Sequence, residues 1–224
     1  MQDIHTFKEA QKMYNNTGVK IRKITAVLLV IMSVCVMFSA QAEAVSAETL
    51  FGEVKNDTYG NSFLGLGCTL EGWHYYTDEE METVNQATKE ALSENMDEML
   101  SQNISVMMAE GPDHMQNVNI RLQNVKAYVS IYKSMGLQNV ATAALDQFKS
   151  TVESAGFTDV QLEVSEISIG DQVFTCIKGE YYLKGVHMYF KQLWDLRDDY
   201  MVTVTVTTVQ EDTTDEVLSK FFLL

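Results

Sequence analysis

Apolar residues at alternate positions predict the first strands of this chain. Every second residue from Leu64 to Leu70 is apolar, which is the two-residue period of a strand with one buried face. A similar alternation covers residues 118–122, and a short apolar run covers residues 105–109. The turn residues Gly111-Pro112-Asp113 lie between these two segments, so we predict that the segments form a hairpin.

The last third of the chain is dominated by the same alternation. We predict strands over residues 160–164, 173–177, 186–194 and 202–206. Gly170-Asp171 and Arg197-Asp198-Asp199 supply turn residues between them. Strands joined by such tight turns favour an antiparallel sheet.

Helical periodicity separates the groups of strands. Thr77 and Glu80 have the spacing of a capping box, and an apolar stripe with several methionines runs from Met81 to Met99. We interpret these methionines as core residues rather than as soft-metal ligands, because they lie on the only face that a helix could bury. A second stripe runs from Ala141 to Ala155, and Gly156 follows it as a helix stop.

The remaining segments complete an α+β pattern. Thr213 to Glu216 repeats the capping-box spacing and predicts a brief last helix. Residues 126–135 are interpreted as a connection with a helical turn. The expected fold is α+β, with an antiparallel β-sheet flanked by helices.

The N-terminal segment has the three parts of an export signal. A basic flank at residues 20–23 precedes a 15-residue, mostly apolar run from Ile24 to Phe38, and Ala40-Gln41-Ala42 supplies small residues for cleavage. We predict a signal peptide over residues 1–42, cleaved after Ala42 or two residues later, with Met13 as an alternative start. An uncleaved membrane anchor is the alternative, but crossing a bilayer needs about 20 apolar residues.

Length and charge constrain the part of the chain after the signal. Residues 43–58 are small and polar and are predicted to be a linker, and residues 59–224 are predicted to form a single domain. Residues 1–42 carry +3 and the whole chain carries −15, so residues 43–224 carry −18. Such a charge repels phosphate backbones and anionic lipids, which disfavours nucleic acid as a partner and membrane contact beyond an uncleaved signal.

Short motifs of the exported part resemble proteins of the PsbP-like fold. Asn61-Ser62-Phe63 leads into a strand that closes on Leu70-Glu71-Gly72-Trp73, where such proteins usually have Leu-Pro-x-Gly-Trp, and Phe157-Thr158-Asp159-Val160 follows the second helix. The resemblance is nearest to uncharacterised exported bacterial proteins. It implies a PsbP-like α/β/α sandwich and no established chemistry.

No local catalytic motif is visible in the sequence. The exported histidines, His74, His114 and His187, lie far apart, and Gly-x-Ser-x-Gly and phosphate-binding loops are absent. The alternation around His187 predicts that it lies on the solvent side of a strand. Asp195, Asp198 and Asp199 lack the spacing of a calcium loop. We therefore expect no cofactor and no metal, and we interpret the acidic residues of the first helical turn as favourable interactions with the helix dipole.

Aromatic residues are the remaining indication of function. Tyrosine and tryptophan suit interfaces because they combine apolar area with a polar tip. The predicted binding residues are Tyr75, Tyr76, Tyr181, Tyr182, Tyr189 and Trp194. The sequence thus favours an exported, non-catalytic module that binds a protein or cell-envelope component, and the alternative is an envelope hydrolase with carboxylates assembled only in the fold.

Two cysteines, Cys68 and Cys176, follow the signal segment. An oxidising compartment permits one bridge between them, and two packed free thiols are the alternative. The sequence leaves both open, because the direction of the Cys176 side chain is not fixed by its neighbours.

Overall fold

The computed structural model describes residues 50–83 and 103–224, and these residues have an α+β fold. The strands are β1 (Glu53–Lys55), β2 (Thr58–Asn61), β3 (Leu66–Thr69), β4 (His74–Tyr75), β5 (Asn103–Glu110), β6 (Gln116–Asn124), β7 (Phe157–Ile169), β8 (Gln172–Leu183), β9 (Val186–Arg197), β10 (Tyr200–Val209) and β11 (Phe221–Leu223). The helices are α1, described over residues 78–83, α2 (Val129–Met135), α3 (Leu137–Ser154) and α4 (Thr214–Leu218).

The strands form two antiparallel sheets. The small sheet has the order β1-β2-β3-β11, and the large sheet has the order β4-β5-β6-β10-β9-β8-β7. The predicted hairpin is β5 paired with β6, and the predicted late strands are β7 to β10. The α+β class and the antiparallel pairing are therefore confirmed.

Each face of the large sheet packs against a separate hydrophobic core. One core lies between the large sheet and the small sheet, and α4 adds Val217 and Leu218 to it. The other core lies under α3, where Phe148 stacks on Phe190 of β9 with ring centroids 5.7 Å apart. Alternate residues of one strand thus enter different cores, as the two-residue strand period requires.

Two-residue turns connect the strands from β7 to β10. At the β8–β9 turn, Lys184 and Gly185 both have positive φ, 52° and 81°, which is the type I′ geometry that matches the twist of a hairpin. Leu183 pairs with Val186 directly beside this turn. The turn therefore fixes which side chains of β8 and β9 lie opposite each other.

Helix starts agree with the sequence in one case and differ in the other. At α1, the Glu80 carboxylate accepts from the Thr77 amide at 2.9 Å, and the Thr77 hydroxyl accepts from the Glu80 amide at 3.3 Å. The second predicted capping box is wrong, because the Thr213 hydroxyl accepts from Gln116 instead. At the start of α4, the Asp212 carboxylate instead accepts a hydrogen bond from the Thr214 amide at 3.1 Å.

Alternation in β6 and β10 is confirmed, but the polar sides of these strands do not face water. Asn117, Asn119 and Arg121 alternate with the apolar residues of β6 and are buried. Thr205 and Thr207 of β10 lie on the same side and are also buried. The sequence predicts half-buried strands here, and the large sheet instead carries buried polar groups on the face opposite the small sheet.

Part of the predicted linker belongs to the fold. β1 pairs with β2, and Leu50 is 2% exposed within the core between the two sheets. The Leu50 carbonyl accepts a hydrogen bond from the side chain of Asn61 at 2.9 Å. The ordered domain therefore includes residues before Tyr59, which corrects the predicted boundary.

The predicted signal peptide and the methionine stripe from Val84 onward lie outside the described residues. In the part of the chain that is described, no helix is long and apolar enough to cross a membrane.

Cys68 and Cys176 are free and buried, so the bridge that the sequence left open is not formed in this structure. Both side chains enter the core between the two sheets. Burial raises the pKa of Cys68 to about 12 and that of Cys176 to about 11, because a thiolate loses its hydration there.

Leu50→Ala should lower the free energy of unfolding by about 2–4 kcal/mol, since it removes a fully buried side chain and leaves a cavity. Val54→Ala, at an exposed position of β1, is the control and should change it by less than about 0.5 kcal/mol. Urea denaturation measures both. Equal effects of the two substitutions would contradict the inclusion of residues 50–58 in the folded domain.

Native Cys68 and Cys176 should resist thiol reagents at pH 8, because their raised pKa values leave little thiolate and burial blocks access. Unfolding in denaturant without reductant should expose both to labelling, which peptide mass spectrometry can map. A disulfide-linked peptide pair containing the two cysteines would contradict the structure.

Candidate functional site

The aromatic residues predicted as a binding surface lie in three separate places. Tyr75 belongs to β4, and Tyr76 follows it directly. β4 is one edge strand of the large sheet, and β7 is the other. Their hydroxyls are used internally, since Tyr75 donates to the Asp57 carbonyl at 2.9 Å and Tyr76 donates to the Glu110 carboxylate at 3.3 Å. Both side chains are partly buried and act as links between elements.

Tyr181 and Trp194 are core residues, which corrects their prediction as binding residues. Their exposed fractions are 0% and 1%, and both belong to the core under α3. Tyr181 packs edge-on against Phe157 with ring centroids 4.9 Å apart. Adjacent residues of a strand point to opposite faces of the sheet. Tyr181 and Trp194 therefore point towards α3, and their neighbours Tyr182 and Asp195 point away from it.

Tyr182 and Tyr189 lie together on the other face of the large sheet, beside His187 and Glu180. Strand register brings Tyr182 opposite His187 and Glu180 opposite Tyr189. We call these four residues the β8–β9 cluster. Tyr182 stacks on His187 with centroids 4.3 Å apart and planes 11° apart, and Tyr182 is 36% exposed.

A hydrogen-bonded chain runs through the β8–β9 cluster. The distance from His187 Nε2 to Glu180 Oε2 is 3.2 Å, and that from His187 Nδ1 to the Tyr189 hydroxyl is 2.9 Å. A carboxylate can only accept, so Nε2 carries a proton, and neutral His187 then accepts from Tyr189 at Nδ1. The imidazole is held by two hydrogen bonds and by stacking, so its orientation is fixed.

An open cleft of about 330 Å³ adjoins the cluster. Glu180 and Tyr189 belong to both, and β7 and the segment before α4 supply further walls. The residues that line the cleft are Gln161, Leu162, Glu163, Lys178, Gly179, Glu180, Tyr189, Phe190, Lys191 and Asp212.

A bulge and a glycine shape the floor of the cleft. The β7–β8 register shifts between Thr158 and Gln161, and Asp159 has a φ of 55° at that point. A Cβ atom at Gly179 would lie 2.3 Å from the Gln161 carbonyl oxygen and 2.9 Å from the Phe190 ring. Only glycine allows the two strands to approach this closely.

Charges of both signs surround the cleft. Glu163 forms an ion pair with Lys178 across β7 and β8, and Lys191 forms one with Asp215 of α4. Partial burial, together with the negative charges of Glu180 and Asp212, raises the pKa of Tyr189, because a phenolate would be poorly hydrated and repelled there. Tyr189 is therefore a neutral hydrogen-bonding group at neutral pH.

Each carboxylate of the cleft already interacts with a neighbouring group. Glu163 pairs with Lys178, Glu180 with His187, and Asp212 accepts from the Thr214 amide and hydroxyl. Within residues 50–83 and 103–224, no group of three or more His, Cys, Asp or Glu side chains is arranged to hold a metal ion. The arrangement offers aromatic, cationic and anionic contacts to a partner.

Besides Glu180, His187 is the member of the site that sequence reasoning misses. The sequence predicts it on the solvent side of a strand, and it is instead half-buried between Tyr182 and Tyr189. The signal is present in Lys184-Gly185, because a two-residue hairpin turn there places Tyr182 directly opposite His187.

Comparisons with known proteins give little further information. No protein-family model and no curated protein matches the chain. Among solved structures, the chain is similar to a protein from Bacteroides thetaiotaomicron VPI-5482 whose crystal structure has 1.50 Å resolution. The two are 10% identical with a TM-score of 0.41, over 76% of this chain and 49% of the other. This chain thus spans about half the length of that protein. So distant a similarity does not support any conclusion about function.

Glu180→Gln should lower the pKa of the Tyr189 phenol, because it removes a negative charge that disfavours the phenolate. A titration of the tyrosine ring carbons followed by NMR measures the change. Glu166→Gln, at an exposed position of β7, is the control and should leave the Tyr189 titration unchanged. An unaltered Tyr189 pKa in Glu180→Gln would mean that the two side chains are not adjacent in solution.

Proposed function

We propose that this protein is an exported, non-catalytic binding module that acts outside the cytoplasm, secreted or at the cell envelope. Its partner is a protein or another envelope component, held by the β8–β9 cluster and the adjoining cleft. The observation that carries the proposal is the exposed Tyr182–His187 stack at the mouth of a cleft with charges of both signs.

The chemistry of this surface supports binding. Tyr182 offers apolar area with little side-chain freedom to lose, since its ring is already stacked on His187. Lys178 and Glu163 lie at the rim as an ion pair, where charges contribute more to orientation and specificity than to affinity. A preorganised aromatic centre with a charged rim is the arrangement of many protein interfaces.

Export is proposed on the basis of the N-terminal sequence alone. The basic flank, the apolar run and the small residues at 40–42 support it. The resemblance to exported PsbP-like proteins stays a prediction, and the antiparallel α+β fold is compatible with it. The −18 charge of residues 43–224 argues for a partner other than nucleic acid.

An envelope hydrolase is the alternative function. Three carboxylates, Glu163, Glu180 and Asp212, line the cleft, and the hydrogen-bonded chain from Glu180 through His187 to Tyr189 could move a proton. However, a carboxylate pair needs one protonated acid and one free base facing the same bond. Since each of the three already interacts with a lysine, a histidine or a threonine, the cleft supports binding better.

The double substitution Tyr182→Ala and Tyr189→Ala should weaken partner binding by roughly 30-fold or more, because an aromatic hot spot contributes about 2 kcal/mol or more. The unmodified exported domain first captures its partner from the envelope of its own source. Isothermal titration with the purified partner then compares the unmodified and substituted domains.

Val173→Ala is the matched control, since Val173 is an exposed apolar residue near the opposite end of β8. It should bind as the unmodified protein does. Equal affinity of the double variant and the control would contradict binding at the cluster. Turnover of an envelope polymer that is lost in Glu180→Gln would favour the hydrolase instead.

A further inference from the structure

Arg121 is a buried cation on the face of the large sheet opposite the candidate cleft. It lies in the middle of β6 and is 2% exposed. In the described part of the chain, no acceptor forms a hydrogen bond with its Nε or Nη2 atoms. The fold thus buries a guanidinium whose Nε–Nη2 edge has no hydrogen-bond partner among the described residues.

The burial of Arg121 is costly. An ionised side chain removed from water without a partner costs several kcal/mol, and only pairing or hydrogen bonding offsets this cost. Burial lowers the pKa of Arg121 to about 10, so the guanidinium stays protonated at neutral pH. A protein that keeps such a charge in a central strand gains little stability from it, which indicates another role.

Hydroxyl groups flank Arg121 on both sides. Ser105 of β5 and Thr203 of β10 are its direct cross-strand partners, so their side chains share its face of the sheet. Both are only partly buried, so the positions on either side of the buried guanidinium are open to solvent. Hydroxyl groups can donate to an anion, and an arginine donates two parallel hydrogen bonds from one edge to a carboxylate or phosphate.

We propose that Arg121, Ser105 and Thr203 form a second binding site, which accepts the carboxylate or phosphate group of a small anionic ligand. The Nε and Nη2 edge of the guanidinium binds two oxygens of the anion, and the two hydroxyls donate to it from the neighbouring strands. This site is independent of the β8–β9 cluster, which uses the opposite face of the sheet.

Charge limits the class of ligand. Residues 43–224 carry −18, so a polyanion is repelled from the domain as a whole. A small anion with one carboxylate or phosphate group suffers far less repulsion and matches the single cation of the site. Shape and hydroxyl contacts, rather than general attraction, then provide the affinity.

The test uses thermal unfolding of the whole protein in inorganic phosphate, in acetate and in chloride, all at one ionic strength. Phosphate or acetate should raise the Tm relative to chloride in a saturable manner, because a ligand that binds only the folded state stabilises it. The stronger of the two responses identifies the preferred group. The same Tm in all three salts at every concentration would overturn the proposal.

Arg121→Met removes the charge at similar volume and separates specific from adventitious binding. It should unfold at the same or a higher temperature than the unmodified protein in chloride and should lose the response to phosphate or acetate. Arg197→Met is the matched control, since Arg197 is already paired with Asp195 at 2.8 Å, and it should keep the response. A response that persists in Arg121→Met would indicate an adventitious ion only and overturn the proposal.

Arg121→Lys covers the case in which Arg121→Met fails to fold. It keeps the charge but loses the bidentate edge, so the response to phosphate or acetate should fall at least several-fold while the protein stays folded. Marked destabilisation of both Arg121 variants in chloride would mean that the chain itself satisfies the guanidinium, which overturns the proposal.

Discussion

The register of the antiparallel strands β7 to β10 is the constraint on which the rest of the molecule depends. A two-residue turn fixes the pairing register of the strands that it joins. A shift of one residue in that register would exchange the side chains of the two faces. Phe190 packs on Phe148 because it faces α3, and Tyr189 can then reach His187 because it faces away. Both cores and the candidate cleft thus depend on one set of hairpin turns.

Much of this fold could be predicted from the period of the apolar residues. The alternation in β6 and β10 and the stripe of α3 are strong local signals, and the Thr77 capping box formed as expected. The pairing of β11 with β3 could not be predicted, because nothing local in three residues specifies a partner far along the chain. The part of the fold before Tyr59 was missed for a similar reason, since Leu50 and Phe51 are an adjacent apolar pair with no sustained period around them.

The candidate site was predictable only in part, because composition does not assign a residue to a face. Tyr181 and Tyr182 are adjacent in sequence and identical in type, yet one is in the core and the other is exposed. They point to opposite faces of β8, and the packing of the sheet against α3 decides that Tyr181 is the buried one. The buried side of β6 was missed likewise, because asparagine and arginine normally indicate solvent and are buried here.

The small sheet has a consequence for the order of folding. Cys68 of β3 lies opposite Phe221 of β11, a separation of 153 residues, whereas the strands β7 to β10 are joined by adjacent hairpins. Local pairings close first because their loops cost less entropy, so we expect the strands β7 to β10 to pair before β11 joins β3. Before the small sheet is complete, the apolar face of the large sheet that later contacts it is exposed to water. An intermediate of this kind is the species most prone to aggregate, and a chaperone would bind it there.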